Sequence, residues 1–457
     1  MGEEVERLRR ENGELRQALA VNQEELAAAL ARVVELEARL NQQRDPPAFV
    51  KRNRPQAEGP RPLRKKRAAE HNTSRRRERP TRIERHGLER CPECHYRLRG
   101  ESLDYSRQVV ELPPPQPVEV VEHQVVKRWC PHCERWRSPP LDLKGQVMGQ
   151  GRIGVGIASL VAYLRTTLRL PVRRIQEYLR TLHRCMLSVG EIVGLTHGVG
   201  RGLQPQAEAL VAQVRASQVV HGDESGWRED GQNGYVWAFV TAGAEAVRYY
   251  TYDRSRSHHV VQRVLGAEFR GWLVSDFYAA YNFYPSRHQR CWVHLLRDLH
   301  ELKEAQPEVA EVGAWAVAVR QLYDEAQAWL QTHATATVAE RTQEYVHLFQ
   351  QACVLGGRYT FAYTHPCCAL AKRLLRHQDE LFQFVLVPGL PADNNLAERS
   401  LRPLVVIRKI SGGSRSRQGT KTRLILASLL STWAARNLNP FLQCLAALQQ
   451  PALAAPT

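Results

Sequence analysis

Residues 219–227 read VVHGDESGW and residues 271–281 read GWLVSDFYAAY, and these two stretches decide the fold. Each contains a short apolar run with β-branched residues that leads to an aspartate, Asp223 in the first and Asp276 in the second. Such a run is typical of a buried strand. The sequence therefore predicts two core strands that each end in a carboxylate.

A third acidic residue lies further along the chain, in residues 393–404, DNNLAERSLRPL. Glu398 stands among good helix formers that follow Asp393 and Asn394, two suitable cap residues. Two strand-end aspartates and one helical glutamate are the set with which a ribonuclease-H-like sheet holds two divalent cations, about 3.5–4 Å apart, for phosphodiester chemistry. Taken singly, acidic residues at strand ends are also ordinary turn formers.

The segments around these acids carry a family resemblance. In chain order they are HGDESGW (221–227), WLVSDFYAAY (272–281), CWVHLLRDL (291–299) and PADNNLAERSLRPLVVIRKISGG (391–413). Together they resemble the catalytic region of bacterial insertion-sequence transposases with an Asp-Asp-Glu triad, in the branch conventionally numbered sixty-six. That family also carries an N-terminal zipper and a cysteine-rich zinc segment, so the resemblance extends over nearly the whole chain. It implies that Asp223, Asp276 and Glu398 are the catalytic, metal-binding residues.

The fold class predicted from these patterns is multidomain α/β, with eight segments. They are a coiled-coil zipper (1–45), a basic linker (46–88), a zinc-binding domain (89–138), a helical, helix-turn-helix-like region (150–215), the first part of a ribonuclease-H-like core (216–298), a helical insertion (299–388), the completion of the core with the glutamate helix (389–440) and a C-terminal tail (441–457). An insertion at this place resembles other transposases of the triad class. It separates Asp276 from Glu398, so only folding brings the three acids together.

Residues 5–40 fit a heptad repeat without a slip. One core position holds Val5, Asn12, Leu19, Leu26, Val33 and Leu40, and the other holds Leu8, Leu15, Asn22, Ala29 and Leu36. In a parallel pair, the flanking charges of Glu4 and Arg9, Glu11 and Arg16, and Arg32 and Glu37 are opposite in sign. The pattern predicts a parallel homodimer. A surface helix packed on its own domain is the alternative, which the basic linker disfavours because it separates the segment from any core.

The net charge of +17 is unevenly distributed. Residues 41–90 concentrate lysine and arginine, with few acidic residues among them. Basic blocks rich in proline and arginine rarely fold alone, because they bury too little apolar area to offset chain entropy. A solvated linker is one interpretation, and a DNA-contacting arm is the one favoured beside a triad for phosphodiester chemistry. The residues expected to contact DNA here are Arg64, Lys65, Lys66, Arg67, Arg75, Arg76 and Arg77.

Two CxxC motifs, CPEC at 91–94 and CPHC at 130–133, predict a structural zinc site. Its ligands would be Cys91, Cys94, Cys130 and Cys133, and four thiolates leave no open position for catalysis. The stretch VVELPPPQPVEVVEHQVVKRWC between the motifs is interpreted as two short strands around a proline-rich turn. The neighbouring His95 and His132 could substitute as ligands, and free cysteines without metal are the remaining alternative.

The region from Ile153 to about Ser217 has a helical pattern that resembles a helix-turn-helix. Residues 172–182 are expected to form its first helix, and Ser188 is expected to cap the second. Helix pairs of this kind are also common in protein cores, so DNA reading by this pair stays open. After Asp223, residues 234–241 and 247–253 predict two further strands of an antiparallel meander, followed by a helix and the Asp276 strand.

Several residues near the triad have competing interpretations. Glu224 should point away from the site if Asp223 points in, because side chains alternate along a strand. Asp393 is expected to be a cap. Arg402 follows Glu398 by one helical turn and could bind a phosphate or pair with the glutamate. His294 matches the family's CWVH motif, with no role assigned.

The glycine-rich basic loop 409–421, KISGGSRSRQGTK, is suited to contact a DNA backbone, with a solvated loop as the alternative. The residues expected to contact DNA in this part of the chain are Arg402, Arg408, Lys409, Arg415, Arg417 and Lys421.

The leading functional prediction is a DNA transposase that uses two Mg²⁺ ions, or Mn²⁺, to cleave 3′ ends and transfer strands by in-line attack. A nuclease of the same fold without strand transfer is the second candidate. A zinc-containing DNA-binding regulator without catalytic activity is the third, and three converging carboxylates argue against it.

The expected partners are transposon ends and target DNA, a second copy of the chain or a larger synaptic assembly, and accessory proteins of the same element. No membrane is expected, because no stretch approaches the roughly 20 apolar residues that span a bilayer. The N-terminal residues MGEEVERLRR are charged from the start, unlike a signal peptide. We therefore expect a cytoplasmic protein that associates with the nucleoid when bound to DNA.

Overall fold

The computed structural model of the chain describes residue 32 and residues 77–148 and 151–450. The predicted zipper, apart from Arg32, and most of the basic linker lie outside the described residues. So do six of the predicted DNA-contacting residues, Arg64, Lys65, Lys66, Arg67, Arg75 and Arg76. The chain divides into two units, residues 1–111 and residues 112–457, which are described separately below.

In the first unit, residues 77–111 form no helix or strand, and an isolated antiparallel bridge joins Arg90 to Arg97. The described residues of the second unit form seven strands: β1 (Arg128–Cys130), β2 (Arg135–Arg137), β3 (Val219–Glu229), β4 (Gln232–Val240), β5 (Arg248–Asp253), β6 (Trp272–Ser275) and β7 (Arg287–Arg290). The helices before the main sheet are α1 (Val155–Thr166), α2 (Val172–His183), α3 (Val189–Gly202) and α4 (Gln204–Ala216).

The remaining helices of the second unit lie between and after the strands of the main sheet. They are α5 (His258–Leu265), α6 (Ala279–Asn282), α7 (Trp292–Ala305), α8 (Ala310–Thr332), α9 (Val338–Tyr359), α10 (Cys368–Arg376), α11 (Gln378–Leu381), α12 (Gln383–Leu386), α13 (Asn395–Ser411), α14 (Arg417–Ala435) and α15 (Pro440–Gln449). Among the residues that the structure describes, no helix is long and apolar enough to cross a membrane.

The main sheet has five strands in the order β5-β4-β3-β6-β7. Strands β3, β4 and β5 form an antiparallel meander, as predicted, while β6 pairs parallel to β3 and β7 pairs parallel to β6. The pairs between β3 and β6 run from Val219–Trp272 to His221–Val274. The carboxyl ends of the three parallel strands therefore open at the same edge of the sheet.

Alternating side chains of the meander build a core on each face of the sheet. On one face, Trp237 and Phe239 pack with Leu273 and Tyr281 in a fully buried cluster. The other face carries Val236 and Ala238, which pack against Ala397, Leu401 and Leu404 of α13. Helix α13 thereby lies on the sheet face to which Ala238 and its cross-strand neighbour Asp223 belong.

Residues 299–388, predicted as a helical insertion, lie largely in α7–α12. A core of their own surrounds the buried Trp292, Trp315 and Phe382. In the helical region before the sheet, α2 and α3 start close to the predicted positions. The side chain of Ser188 accepts a hydrogen bond from the Glu191 N–H, and the Glu191 side chain accepts one from the Ser188 N–H, so α3 begins with a capping box.

Two expectations about local structure were wrong. No strands flank the proline-rich turn, because Val109, Val110, Val120 and Val121 are exposed and no other element covers them. The strands of this region are instead β1 and β2, which form a hairpin around the CPHC motif. The boundary at 441 also moves, because residues 440–449 form α15 and bury Cys444 in the main core.

Candidate active site

Asp223 and Asp276 lie where β3 and β6 separate. Strand β3 was expected to end at Asp223, but it continues to Glu229 because its antiparallel pairing with β4 extends that far. Its pairing with β6 ends at His221, two residues before Asp223, and β6 itself ends at Ser275, directly before Asp276. Both aspartates therefore follow the last shared pairs of two adjacent parallel strands.

A fully buried arginine fixes the backbone of the second aspartate. Arg290 at the end of β7 donates to the Asp276 carbonyl oxygen at 2.9 Å and to Ser275 Oγ at 3.1 Å. Its Nε donates to Glu380 Oε2 of α11 at 2.6 Å. Burial raises the pKa of Glu380, but hydrogen bonding from His377 and the charge of Arg290 lower it to about 2. The ionised Glu380 thus balances the buried guanidinium and connects the helical insertion to the Asp276 turn.

Glu398 lies in the first turn of α13, and the residue before the helix fixes its position. Asn394 is fully buried, and its Nδ2 donates to the Gly222 carbonyl oxygen at 2.7 Å. Burial lowers the pKa of His221 to about 4, so the imidazole is neutral and donates from Nδ1 to Asn394 Oδ1 at 3.2 Å. The start of the glutamate helix is therefore bonded to β3 immediately before Asp223.

Replacing Asn394 with Ala should destabilise the protein by about 2–4 kcal/mol, because the Gly222 carbonyl and His221 would stay buried without their partner. Chemical unfolding monitored by fluorescence measures the loss. Asn395→Ala is the matched control, since the Asn395 side chain makes no hydrogen bond within the described part of the chain. Equal losses in both variants would contradict the assigned role of Asn394.

The Asp223 carboxyl is buried near other acidic residues. Burial raises the pKa of Asp223 to about 8, together with the negative charges of Glu224, Asp276 and Glu398 and against one hydrogen bond from the Glu224 N–H. A cavity of about 390 Å³ is lined by the acidic residues Asp223, Glu224 and Glu398 and by the basic residues Arg402 and Lys409. Folding thus brings acidic and basic side chains from β3 and α13 together in one cavity.

The chemistry of these carboxylates suits a divalent cation. Glu398 Oε1 is buried and accepts no hydrogen bond from the residues that the structure describes, so this oxygen is available as a metal ligand. No three acidic, histidine or cysteine side chains of the described residues lie close enough together to ligate one ion directly. Mg²⁺ keeps most of its water ligands and needs only one or two carboxylates. The site therefore suits a hydrated cation.

His294 lies beside the glutamate of the site. Its Nε2 is 3.6 Å from Glu398 Oε1, which is too long for a hydrogen bond. Its Nδ1 is buried and forms no hydrogen bond within the described part of the chain. The CWVH motif thus places an imidazole next to Glu398, because α7 begins at Trp292, just after β7.

Two further acidic residues, Asp393 and Glu224, have partners of their own. Asp393 Oδ1 accepts a hydrogen bond from the Asn395 N–H at 2.9 Å, so this side chain caps the first turn of α13 from the position before Asn394. Glu224 pairs across the sheet with Trp237, on the face opposite that of Asp223 and Ala238. Its carboxylate accepts hydrogen bonds from Arg256 and Tyr281.

The predicted DNA-contacting residues fall into two groups. Arg402, Lys409, Arg415, Arg417 and Lys421 are exposed, and in the described chain Arg402 forms no ion pair with Glu398. Arg408 instead donates to Ser225 Oγ at 3.2 Å and to the Gly226 carbonyl oxygen, which connects α13 to β3. In the first unit, Arg77 is exposed and donates to the Ser106 carbonyl oxygen at 3.1 Å.

Each CxxC motif forms a tight turn. In the first unit, the Cys91 N–H donates to the Tyr96 carbonyl oxygen and the His95 N–H donates to the Cys91 carbonyl oxygen, both at 2.9 Å. In the second unit, β1 and β2 pair Cys130 with Arg135. Hydrogen bonds from the backbone of Cys94 and of Cys133 lower the pKa of the Cys91 and Cys130 thiols respectively. Both turns favour the thiolate form that binds metal.

Sequence reasoning missed the roles of Asn394, Arg290 and Arg256. Asn394 was interpreted only as a cap, and its burial between β3 and α7 depends on contacts far away in sequence. Arginine is almost never fully buried unless it is paired, and Arg290 is fully buried. In the sequence, the position of Arg290 directly before the CWVH motif was the one indication of this role.

Comparison with known proteins agrees with the site. The family model described as Transposase IS66 family matches residues 150–422, which is more than half of the chain and includes all three acids. An uncharacterized protein named y4jO from Sinorhizobium fredii (strain NBRC 101917 / NGR234) is 30% identical over 161 residues, or 35% of this chain. The matched region spans about half of that relative, 47% of its length. The chain belongs to the IS66 family of transposases.

Proposed function

We propose that the protein is a DNA transposase that cleaves the 3′ ends of its element and joins them to target DNA, with Asp223, Asp276 and Glu398 as the catalytic triad. The observation that supports the proposal is geometric: Asp223 and Glu398 line one cavity, and Asp276 directly follows β6, the strand that pairs with β3. A protein that only binds DNA has no use for converging acids, since they repel phosphate.

The sheet supports a ribonuclease-H-like assignment. An antiparallel meander continued by two parallel strands, in the order β5-β4-β3-β6-β7, is the arrangement that we expect for such a core. The first aspartate lies on the central strand β3, the second follows the adjacent β6, and the glutamate comes from a helix packed on the same face as Asp223. These positions agree with the roles that the sequence predicts.

In the proposed mechanism, Asp223, Asp276 and Glu398 hold Mg²⁺ or Mn²⁺, which when bound lowers the pKa of water and stabilises charge on the attacking and departing oxygens. Asp223 on β3, Asp276 after β6 and Glu398 on α13 would supply the carboxylate ligands. Arg290 and Asn394 keep Asp276 and the glutamate helix at fixed positions. Arg402 and Lys409 line the same cavity, where they would bind the phosphates that flank the reacting bond.

The detection of covalently joined donor and target DNA tests this function. The full-length protein is incubated in Mg²⁺ with DNA that ends in the terminal repeats of its own element and with a supercoiled target plasmid. We expect nicks that leave 3′-hydroxyl groups at the element ends, followed by covalent donor–target products. Cleavage without joined products would favour the nuclease alternative, and binding without cleavage would favour the regulator.

Assembly on DNA is the second part of the proposal. We infer a parallel dimer through residues 5–40, which would place two catalytic domains on one complex for the two element ends. The basic segment before the zinc motifs and the exposed loop residues Arg415, Arg417 and Lys421 would bind DNA backbone and hold the protein at the nucleoid. Accessory proteins of the same element are expected to complete the assembly.

Purified protein should contain about one zinc ion per chain, held by Cys91, Cys94, Cys130 and Cys133. That the two CxxC motifs bind the same zinc ion is a prediction from the sequence. Elemental analysis by mass spectrometry measures the content, and Cys91→Ser should reduce it to near zero while Cys353→Ser, at a half-buried cysteine outside the motifs, should not. Native protein without zinc, with all four thiols open to alkylation, would disprove the site.

A further inference from the structure

The residue next to the first aspartate is the centre of a buried network. The Glu224 side chain is 1% exposed, and its Oε1 accepts hydrogen bonds from Arg256 Nε at 2.9 Å and Nη2 at 2.6 Å. Its Oε2 accepts a hydrogen bond from the Tyr281 hydroxyl at 2.6 Å. Two nitrogens of the guanidinium thus donate to one carboxylate oxygen, and the opposite charges strengthen both hydrogen bonds.

The same arginine contacts the turn that carries the second aspartate. The Arg256 guanidinium lies 3.8 Å from the centroid of the Tyr278 ring, and the Tyr278 hydroxyl donates to the Arg256 carbonyl oxygen at 2.7 Å. The Tyr278 N–H in turn donates to Asp276 Oδ1 at 2.9 Å. The network therefore extends from Glu224 through Arg256 and Tyr278 to a carboxylate oxygen of Asp276.

Asp276 is also a competing partner for this arginine. Burial lowers the pKa of Arg256, but hydrogen bonding to Glu224 and the negative charges of Glu224, Tyr278 and Asp276 raise it overall. Arg256 is half-exposed, so its side chain has room to move. If Glu224 lost its charge, the nearest strong anion for the guanidinium would be Asp276, and an arginine paired with Asp276 would compete with a cation.

We propose that Glu224 is a positioning residue that holds Arg256 against Tyr278 and away from Asp276, so that Asp276 stays free to bind a divalent cation. The inference rests on the proposed metal-dependent function of Asp223, Asp276 and Glu398. Glu224 does not itself ligate the cation, because its carboxylate oxygens are occupied by Arg256 and Tyr281 on the opposite face of β3.

A double-variant experiment tests the proposal. Binding of Mn²⁺ to the full-length protein is measured by calorimetry for the wild type, Glu224→Gln and Glu224→Gln/Arg256→Gln. The control is Asp253→Asn, which breaks another acid–arginine pair, with Arg263 at 2.7 Å, outside the network. Thermal unfolding shows whether each variant is folded, and cleavage by the wild type tests the underlying function separately.

Glu224→Gln is expected to weaken Mn²⁺ binding by roughly tenfold or more, and the double variant should recover to within about threefold of the wild type. Recovery is the decisive result, because removing Arg256 restores affinity only if the arginine is the competitor. Wild-type affinity in Glu224→Gln, or a double variant as weak as the single one, would overturn the proposal.

A second variant tests the proposal if Glu224→Gln does not fold. Arg256→Gln keeps the Glu224–Tyr281 hydrogen bond and removes the competitor, so its Mn²⁺ affinity should stay within about threefold of the wild type or rise. Its cleavage rate should fall, because Tyr278 loses the guanidinium that packs on its ring. A tenfold weaker Mn²⁺ affinity in Arg256→Gln would contradict the competition. A wild type that binds no Mn²⁺ would instead refute the proposed function itself.

Discussion

Asp223→Asn, Asp276→Asn and Glu398→Gln are each expected to reduce 3′-end cleavage and strand transfer in Mg²⁺ by at least about 10³-fold, while DNA binding stays largely intact. Each substitution keeps the size and most hydrogen bonds of the side chain but removes the charge that holds a cation. Metal catalysis supplies several kcal/mol of the reduction in the activation barrier, which accounts for the size of the loss. Gel assays of nicked and joined DNA measure both steps.

Asp230→Asn is the matched control for these variants. Asp230 follows the last residue of β3, is exposed and has a φ of 50°, a conformation that asparagine tolerates well. It lies seven residues beyond Asp223, or about 23 Å along an extended strand, so its charge does not reach the site. A triad variant with normal transposition would remove that residue from the triad, and normal activity in all three would refute the proposed mechanism.

The same carboxylates should make the metal-free protein less stable as pH rises. The pKa of Asp223 is raised from the ordinary value of 3.8 to about 8 in the folded protein. An acid whose pKa is higher in the folded state than in the unfolded state is ionised less readily when the protein is folded. The folded protein is therefore most stable, with respect to this group, below pH 3.8, and it loses stability as pH rises from there towards 8. Between pH 6 and pH 8 the loss is up to about 2.5 kcal/mol.

Asp223→Asn should therefore raise the melting temperature of the metal-free protein by several degrees at pH 8 and by less at pH 6. Addition of Mg²⁺ should stabilise the wild type at pH 8, because the bound cation offsets the negative charge of the ionised Asp223. The melting temperature of Asp223→Asn should stay nearly unchanged, because this variant lacks that carboxylate. Thermal unfolding with and without Mg²⁺ measures both effects, with Asp230→Asn again as the control. A pH-independent difference between the two proteins would show that Asp223 is not part of a crowded acidic site.

Local patterns predicted the strands and helices of the core well. The apolar runs around residues 234–241 and 247–253 became β4 and β5, and the helix expected after them is α5. Side-chain alternation also placed Glu224 on the face opposite that of Asp223. These features depend on periodicity within a few residues, which the sequence displays directly.

Features that depend on distant partners were not predictable in this way. The continuation of β3 past Asp223 follows from its pairing with β4, and a glycine-rich stretch gave no local sign of it. The valines near the proline-rich turn had the composition of strands but have no partner to pair with. Asn394 looked like an ordinary cap residue, and only the fold shows that it connects β3 to the glutamate helix.

Anomalous scattering from crystals grown with Mn²⁺ tests the central claim most directly, because it locates the cations relative to the three acids. The account predicts two manganese peaks about 3.5–4 Å apart, with Asp223 contacting both and with Asp276 and Glu398 on either side. Manganese peaks elsewhere, or no peak at these residues at millimolar Mn²⁺ in crystals that also contain DNA, would contradict it.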